Sequence, residues 1–365
     1  MSIGRPRVAV AGVHGHGARH VDNVLRLAGA GQAELVGVAD PRPADLGAPA
    51  YGSLQELLEA TDVDVVIIST PIQTHVPLAT LALRTGADVL LEKPPTASLA
   101  EFEELLKVVD ETGRACQVGF QAQASEATLT LRSMMSAGDL GEIRGISATG
   151  KWVRTAKYFD RARWAGRRTL DGVPVVDGAV TNPLAHATAA ALLLDGSTSV
   201  DDISRVETDL YRANPIESDD TSTVRITTTR GTTILVAVTL CATEHLEPEL
   251  VVHGSKREAA LRYATDELDD AKYDRADLLE NLLAHRADRG VPLFCPLVAT
   301  GGFTRVVEAI RTAADPAEIP ADLVQWEGEG PDRRPIVRDV EAWIDRAAAQ
   351  RQLFSELRAP WTTHG

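Results

Sequence analysis

The residues Gly12-Val13-His14-Gly15-His16-Gly17 follow a short apolar run and open a segment with helical spacing. Such a turn lets backbone N–H groups approach a pyrophosphate while a helix N-terminus points its partial positive charge at it. Gly12 and Gly17 take the first and third glycine positions of the G-x-G-x-x-G pattern. His14 stands at the second, with Gly15 beside it as the flexible point. Asp40 ends the next apolar run, where a carboxylate can accept hydrogen bonds from the hydroxyls of an adenine ribose. Its charge opposes a 2′-phosphate, so NAD is expected over NADP. Arg42, two residues on, leaves NADP open. His14, His16 and His20 have the spacing of metal ligands, but the cofactor already employs this loop. No Asp, Glu or Cys within it completes a ligand set, so no metal is expected.

Two further segments end apolar runs: Ser69-Thr70-Pro71-Ile72-Gln73-Thr74-His75 and Glu92-Lys93-Pro94-Pro95. Ligands of open α/β sheets bind at the carboxyl ends of strands, where both segments fall. A lysine in a turn is ordinarily solvated. Here the buried run Val89-Leu90-Leu91 delivers Lys93 to the place where the cofactor should lie. Farther along, Trp152-Val153-Arg154, Tyr158-Phe159, Arg161 and Trp164 concentrate aromatic rings and arginines in a chain with only 4% aromatic residues. Ring faces and guanidinium forks suit a polyhydroxylated or carboxylated ligand. An amphipathic covering segment or a subunit contact reads equally well.

The elements that must position these groups fall into two patterns. Up to Phe120, buried runs at Val8–Val13, Glu34–Asp40, Asp64–Thr70, Ala87–Glu92 and Ala115–Phe120 alternate with helical segments. Ser53-x-x-Glu56 and Ser98-x-x-Glu101 have the form of capping boxes. This alternation predicts a doubly wound parallel sheet, a Rossmann domain over residues 1–123. From 124 to 365 the rhythm changes to an α+β domain with a large, open, mainly antiparallel sheet. A helix at Ser125–Gly141 leads into a strand at Glu142–Val153, and Asn182-Pro183 starts another helix that stops at Gly196. Strands follow at Val200–Ala213, Ser222–Thr229, Thr232–Ala242, Leu250–Val252 and Ala259–Tyr263, with hairpin turns at Thr229–Gly231 and His253–Lys256. Helices at Arg275–Ala287, Phe303–Ala314 and Pro335–Glu356 complete the chain, and Glu327–Pro331 is its most loop-like stretch.

Composition bounds the partners. The 365 residues exceed one typical core, and 44% hydrophobic content serves two. A net charge of −15 disfavours nucleic acid and anionic membrane as general partners. Cys116, Cys241 and Cys295 are far apart and form no C-x-x-C pair, which fits reduced thiols in a cytoplasmic protein. No apolar run is long enough to span a bilayer, and the first residues run directly into a strand, so no signal peptide is expected.

The phosphate loop, the Thr-Pro…His segment and above all Glu-Lys-Pro resemble the glucose–fructose oxidoreductase/inositol dehydrogenase (Gfo/Idh/MocA) family, and the later hairpin sheet resembles that family's second domain. The resemblance implies that Lys93 is the catalytic lysine beside the nicotinamide. It also implies that Thr70, Pro71, His75 and Glu92 line the cofactor, together with Val13 and the rest of the glycine turn, and that Gln121 lies near the nicotinamide. The family's Asp-x-x-x-His signature registers on this chain in two ways. Starting at Asp177 keeps the acid and puts Thr181 at the histidine position. Starting at Asn182 keeps His186 and replaces the acid with an amide. Asn182 and His186, four apart, would share a helix face. His186 is either catalytic or packed among Leu184, Ala185 and Ala187.

The implied activity is hydride transfer between NAD(P) and a secondary alcohol of a sugar, polyol or related small molecule. Lys93 would handle the proton and Asp177 would orient it, with Tyr158, Arg161, Trp164, Asn182 and His186 at the substrate. A redox-neutral enzyme of the same fold that retains NAD while cleaving or isomerising a glycoside, and a non-catalytic dinucleotide-binding regulator, are the alternatives. Both faces of Thr232–Ala242 are apolar: Ile234, Val236, Val238 and Leu240 on one, Leu235, Ala237 and Thr239 on the other. A second subunit is therefore expected to cover the outer face, in a homodimer or homotetramer.

Overall fold

The computed structural model describes residues 4–42 and 46–362. The first three residues of the expected lead into the first strand, and the last three of the expected second domain, lie outside the described residues. The chain divides into two compact units. Unit one comprises Met1–Gly119 and Asp277–Val298, and unit two comprises Phe120–Ala276 and Ala299–Gly365. The segment Asp277–Val298 therefore returns to the first unit, whereas the sequence division assigns everything after 124 to the second.

Unit one is built on six parallel strands, β1 (Arg7–Ala11), β2 (Glu34–Ala39), β3 (Ala50–Tyr51), β4 (Val65–Ile68), β5 (Asp88–Leu91) and β6 (Cys116–Val118), in the order β3-β2-β1-β4-β5-β6. The order reverses at β1, which is the topological switch point of a doubly wound sheet. All four residues of β4 and of β5 are buried, as a sheet covered on both faces requires. The two-residue edge strand β3 carries no apolar run, so periodicity does not predict it. The crossovers are α1 (His16–Gly29), α2 (Leu54–Ala60), α3 (His75–Arg84) and α4 (Leu99–Thr112). Ser53 and Ser98 cap α2 and α4 by accepting from the N–H groups of Glu56 and Glu101. The return bonds differ from the expected box. Glu56 and Glu101 accept from Gly52 and Ala97, the residues before the caps.

The returning segment is tied in by charge. The buried carboxylate of Asp88 accepts from the guanidinium groups of Arg286 (2.9 Å) and Arg289 (3.1 Å), and Arg286 also reaches Asp64 at 2.8 Å. The Ala115 N–H adds a third donor to Asp88 at 2.8 Å. Together they offset the cost of holding a carboxylate in a dry place, which one partner alone would not do. Val118 donates to the Cys295 carbonyl at 2.8 Å, so β6 gains a backbone neighbour on its open side.

In unit two, α5 (Glu126–Ala137) leads into β7 (Ile143–Val153), α6 (Ala156–Phe159) and the small β8–β9 hairpin (Thr169–Leu170, Val173–Pro174). After α7 (Ala185–Asp195) come β10 (Ile203–Arg212), β11 (Thr221–Thr228), β12 (Thr233–Thr239), β13 (Cys241–Gly254), β14 (Glu258–Arg262), β15 (Glu267–Leu268) and β16 (Ala271–Lys272). Then α8 (Leu278–Ala287) belongs to unit one, and α9 (Gly301–Thr312), β17 (Ala317–Glu318), the β18–β19 hairpin (Val324–Glu327, Arg334–Val337) and α10 (Val340–Gln350) complete unit two. The nine-stranded sheet runs β16-β15-β14-β13-β7-β12-β11-β10-β17, antiparallel except at β7–β12 and β10–β17. The expected helix from Pro335 begins as β19 instead, because Pro335 lies in a strand pairing and α10 starts only after Asp339.

The outer face of β12 is covered from within the chain. Leu235 and Ala237 pack with Val340, Ile344 and Ala347 of α10 and with Phe354, Leu357 and Trp361 beyond it, all buried. The expectation of a second subunit rests on that face lacking a cover, and the chain's own C-terminal segment supplies one. Among the described residues, no helix is long and apolar enough to cross a membrane.

Candidate functional site

In unit one the glycine turn has the shape its composition implies. Gly12 has φ +79°, and a Cβ there would lie 2.4 Å from the Ser69 carbonyl oxygen. A Cβ on Gly17 would lie 1.9 Å from the Gly12 carbonyl oxygen. Neither position admits a side chain, so the backbone of the turn stays bare where it meets α1. Gly15 caps α1 with φ 62° and ψ −119°, a conformation open essentially to glycine. The flexible point is therefore Gly15, and the exposed His14 replaces the middle glycine without closing the cradle. These features fit the pyrophosphate of a dinucleotide.

Asp40 stands just beyond β2 with its side chain 6% exposed. It accepts from the N–H of Val13 at 3.2 Å and of Arg42 at 2.9 Å, and the Arg42 guanidinium lies 3.3 Å away. Burial works against its charge. The two amides and the guanidinium outweigh burial and hold the carboxyl below its ordinary range. Arg42 is thus engaged with Asp40, and the Nε2 of His14 lies 3.8 Å from the same carboxylate.

Glu92 and Lys93 follow β5. Glu92 Oε2 accepts from the Lys93 N–H at 3.1 Å. Its Oε1 meets His20 Nε2 at 2.8 Å and His16 Nε2 at 3.3 Å, both from α1. Burial alone would raise this carboxyl, but the two imidazoles hold it far below the usual carboxylate range. Gly119 makes room for it, since a Cβ there would sit 2.9 Å from Oε1. The histidine loop has no acid of its own. One arrives from the end of β5, a pairing that only the fold reveals. Lys93 is half-buried.

Thr70, Pro71 and His75 lie beyond β4. The His75 ring is buried, with Nε2 2.9 Å from the Thr70 carbonyl and Nδ1 3.0 Å from the Pro94 carbonyl. It braces the segment after β4 against the turn that carries Lys93. Burial pushes its imidazole down toward the neutral form. Gln121 opens a short turn at the start of unit two.

Unit two holds the second cluster. The Asp177 carboxylate is buried; Oδ2 accepts from the Gly166 N–H at 2.7 Å and from Arg161 at 3.4 Å, and Oδ1 accepts from Asn182 Nδ2 at 2.5 Å. The two registers of the acid–histidine signature thus meet at one bond. Thr181 is buried and donates its hydroxyl to the Val176 carbonyl, which makes it a brace of the turn. Asn182 does not begin a helix as expected. It lies in a turn, α7 starts at Ala185, and so Asn182 and His186 do not share a helix face. His186 stands in the first turn of α7, half-buried, edge-on to Phe120 (centroids 5.5 Å apart) and 6.3 Å from the Tyr263 ring.

The aromatic–arginine segment forms a ladder. The Arg161 guanidinium lies over Tyr158 (3.6 Å to the ring centroid) and Trp164 (4.6 Å), and Arg154 lies over Trp152 (4.6 Å) and Tyr158 (4.8 Å). Such stacking fixes the forks, and Arg161 also donates to the Tyr158 carbonyl and to Asp177 while Arg154 donates to the Val153 carbonyl at 3.0 Å. Burial, with the Asp177 charge adding to it, pushes the Tyr158 hydroxyl up to about 12, so it is a neutral donor. Sequence reasoning missed His245, which stacks on Trp152 at 5.1 Å, and the Phe120–Tyr263 bracket around His186. His245 lies in an irregular stretch of β13 with no motif, so only tertiary pairing could find it.

Residues 6–120 match the family model described as oxidoreductase family, NAD-binding Rossmann fold, and residues 128–260 match the GFO/IDH/MocA C-terminal domain. The chain is 34% identical over 149 residues to inositol 2-dehydrogenase of Leifsonia xyli subsp. xyli, covering 38% of this chain and 44% of that protein. It is 34% identical over 131 residues to dTDP-3,4-didehydro-2,6-dideoxy-alpha-D-glucose 3-reductase of Streptomyces violaceoruber, covering 36% of this chain and 37% of that one. Each match thus spans less than half the length of the curated relative. In fold it resembles the WlbA dehydrogenase of Bordetella pertussis, solved with NADH and UDP-GlcNAcA, with a TM-score of 0.72 at 22% identity over 84% of this chain and 95% of that one.

Proposed function

The chain belongs to the GFO/IDH/MocA family of oxidoreductases, and from that premise we propose that it transfers a hydride between NAD and a secondary alcohol of a sugar, polyol or related small molecule. The observation that carries this reading is the bare Gly12–Gly17 turn joined to a half-buried, ionised Asp40 within one β1–α1–β2 unit. The turn and the first N–H groups of α1 would hold the pyrophosphate, and Asp40 would accept from the ribose. A carboxylate offers about four acceptor positions, which leaves one beyond the two amides and the Arg42 guanidinium it already serves. When bound, the nicotinamide supplies the hydride acceptor.

This chain's own residues would handle the proton. Lys93 Nζ would take the hydroxyl proton of the alcohol during oxidation and return it during reduction, as general acid–base chemistry requires. Glu92 holds the Lys93 backbone through the 3.1 Å bond to its N–H, and His75 holds the turn that follows. In unit two, Asp177, Asn182 and His186 are the groups proposed to meet the substrate's hydroxyls, with Tyr158, Arg161 and Trp164 as its aromatic and cationic wall. The relatives named above, an inositol dehydrogenase and a deoxysugar reductase, support a carbohydrate-like substrate.

NAD binding, measured by fluorescence titration, is the first test. Reduced-nicotinamide absorbance is then followed across sugars, cyclic polyols and nucleotide-linked sugars. Binding of NAD with turnover of at least one member supports the proposal. A protein that binds neither NAD nor NADP would overturn it.

A further inference from the structure

His16 and His20 are one helical turn apart on α1, so their side chains rise from the same face. Both aim Nε2 at one atom, Glu92 Oε1, at 3.3 Å and 2.8 Å. The three ligand-type atoms lie within 4.8 Å of one another. The imidazole rings are nearly perpendicular (83°) with centroids 5.2 Å apart, so neither blocks the other's approach to a shared point.

We propose that His16, His20 and Glu92 form a binding site for one divalent transition-metal ion of the zinc class. Two imidazole nitrogens and one carboxylate oxygen are a ligand set that zinc accepts, with a fourth position left to water. Bonds of about 2.0–2.1 Å in a tetrahedron place neighbouring ligand atoms about 3.3 Å apart. The His16–Glu92 separation already has that value, and the His20–Glu92 pair needs to open by roughly half an ångström to reach the tetrahedral spacing. The supporting shell is present as well, because Oε2 of Glu92 is bound to the Lys93 N–H and leaves Oε1 to face the ion. His16, with its side chain 47% exposed, supplies the entry path, while His20 and Glu92 at 12% and 11% supply the preformed floor. Both imidazoles bring a nitrogen to that one oxygen, so an ion entering there meets two nitrogen ligands and one oxygen on side chains already in place.

The test uses the full chain freed of metal by chelation and dialysis. Cobalt(II) is titrated in and the visible ligand-field band recorded; zinc is then titrated in against a chromogenic chelator. The expected result is one site per chain, a four- or five-coordinate cobalt spectrum, and zinc displacing cobalt. H16A, whose exposed position leaves the fold intact by circular dichroism, should lose about 100-fold or more in zinc affinity, since even outer-shell changes cost 10- to 100-fold. E92Q should lose the cobalt band. Wild-type affinity equal to that of H16A, or cobalt remaining six-coordinate as in water, would overturn the site.

Discussion

Asn182 Nδ2 donates to Asp177 Oδ1 at 2.5 Å, so the two alternative starting points of one acid–histidine signature are hydrogen-bonded to each other. The buried acid is Asp177, and the amide at 182 is its partner. That relationship makes the N182D variant informative. It would set two carboxyl groups at hydrogen-bond distance in a buried place, where both cannot ionise together and the pair retains a proton. A carboxyl pair whose folded pKa is raised contributes stability that is lost as pH rises. The melting temperature of N182D should therefore fall further below that of wild type at pH 8 than at pH 5. An equal deficit at both pH values would show that the two oxygens do not share a site.

Lys93→Met keeps most of the side chain's bulk and removes the proton-carrying atom. Turnover on a verified substrate should fall by about 10²-fold or more. NAD affinity, set by the glycine turn and Asp40, should change little. Retention of most activity would exclude Lys93 as the proton-handling group while leaving the dehydrogenase reading intact.

Asp40→Ser removes the charge that opposes a 2′-phosphate and releases Arg42 from its 3.3 Å contact. The ratio of NADP to NAD affinity should rise by at least tenfold, about 1.4 kcal/mol. Titrating both cofactors into wild type and variant measures it. Tighter binding of NADP by the unchanged protein would contradict the role given to Asp40.

Phe354 is fully buried on the outer face of the large sheet, its ring centroid 6.4 Å from that of Tyr211 and 5.3 Å from that of Trp361. Phe354→Ala should destabilise the protein by about 3–5 kcal/mol, the usual cost of deleting a buried aromatic ring. Chemical denaturation measures this. If α10 and the residues after it were a loose appendage, the loss would be no more than about 1 kcal/mol, in the range of a surface substitution.

Much of unit one is legible in the order of residues alone. Short buried runs bounded by Gly, Asp and Pro read as covered strands, and their alternation with capped helices leaves few topologies. Gly12, Gly17 and Asp40 are legible because a local βαβ unit positions them, and local spacing survives in a linear chain. Lys93 is legible because a buried strand carries it to a defined end of the sheet. Other features depend on residues far apart in the chain. Glu92 joins His16 and His20 across more than seventy residues because β5 lies two strands from β1. The segment Asp277–Val298 returns to unit one, where Arg286 of α8 meets the carboxylates of Asp64 and Asp88. Apolar residues on both faces of β12 reveal that two covers are needed, but not that the second is the chain's own C-terminal segment. Periodicity records which side chains must leave water; which surface receives them is a property of the folded chain alone.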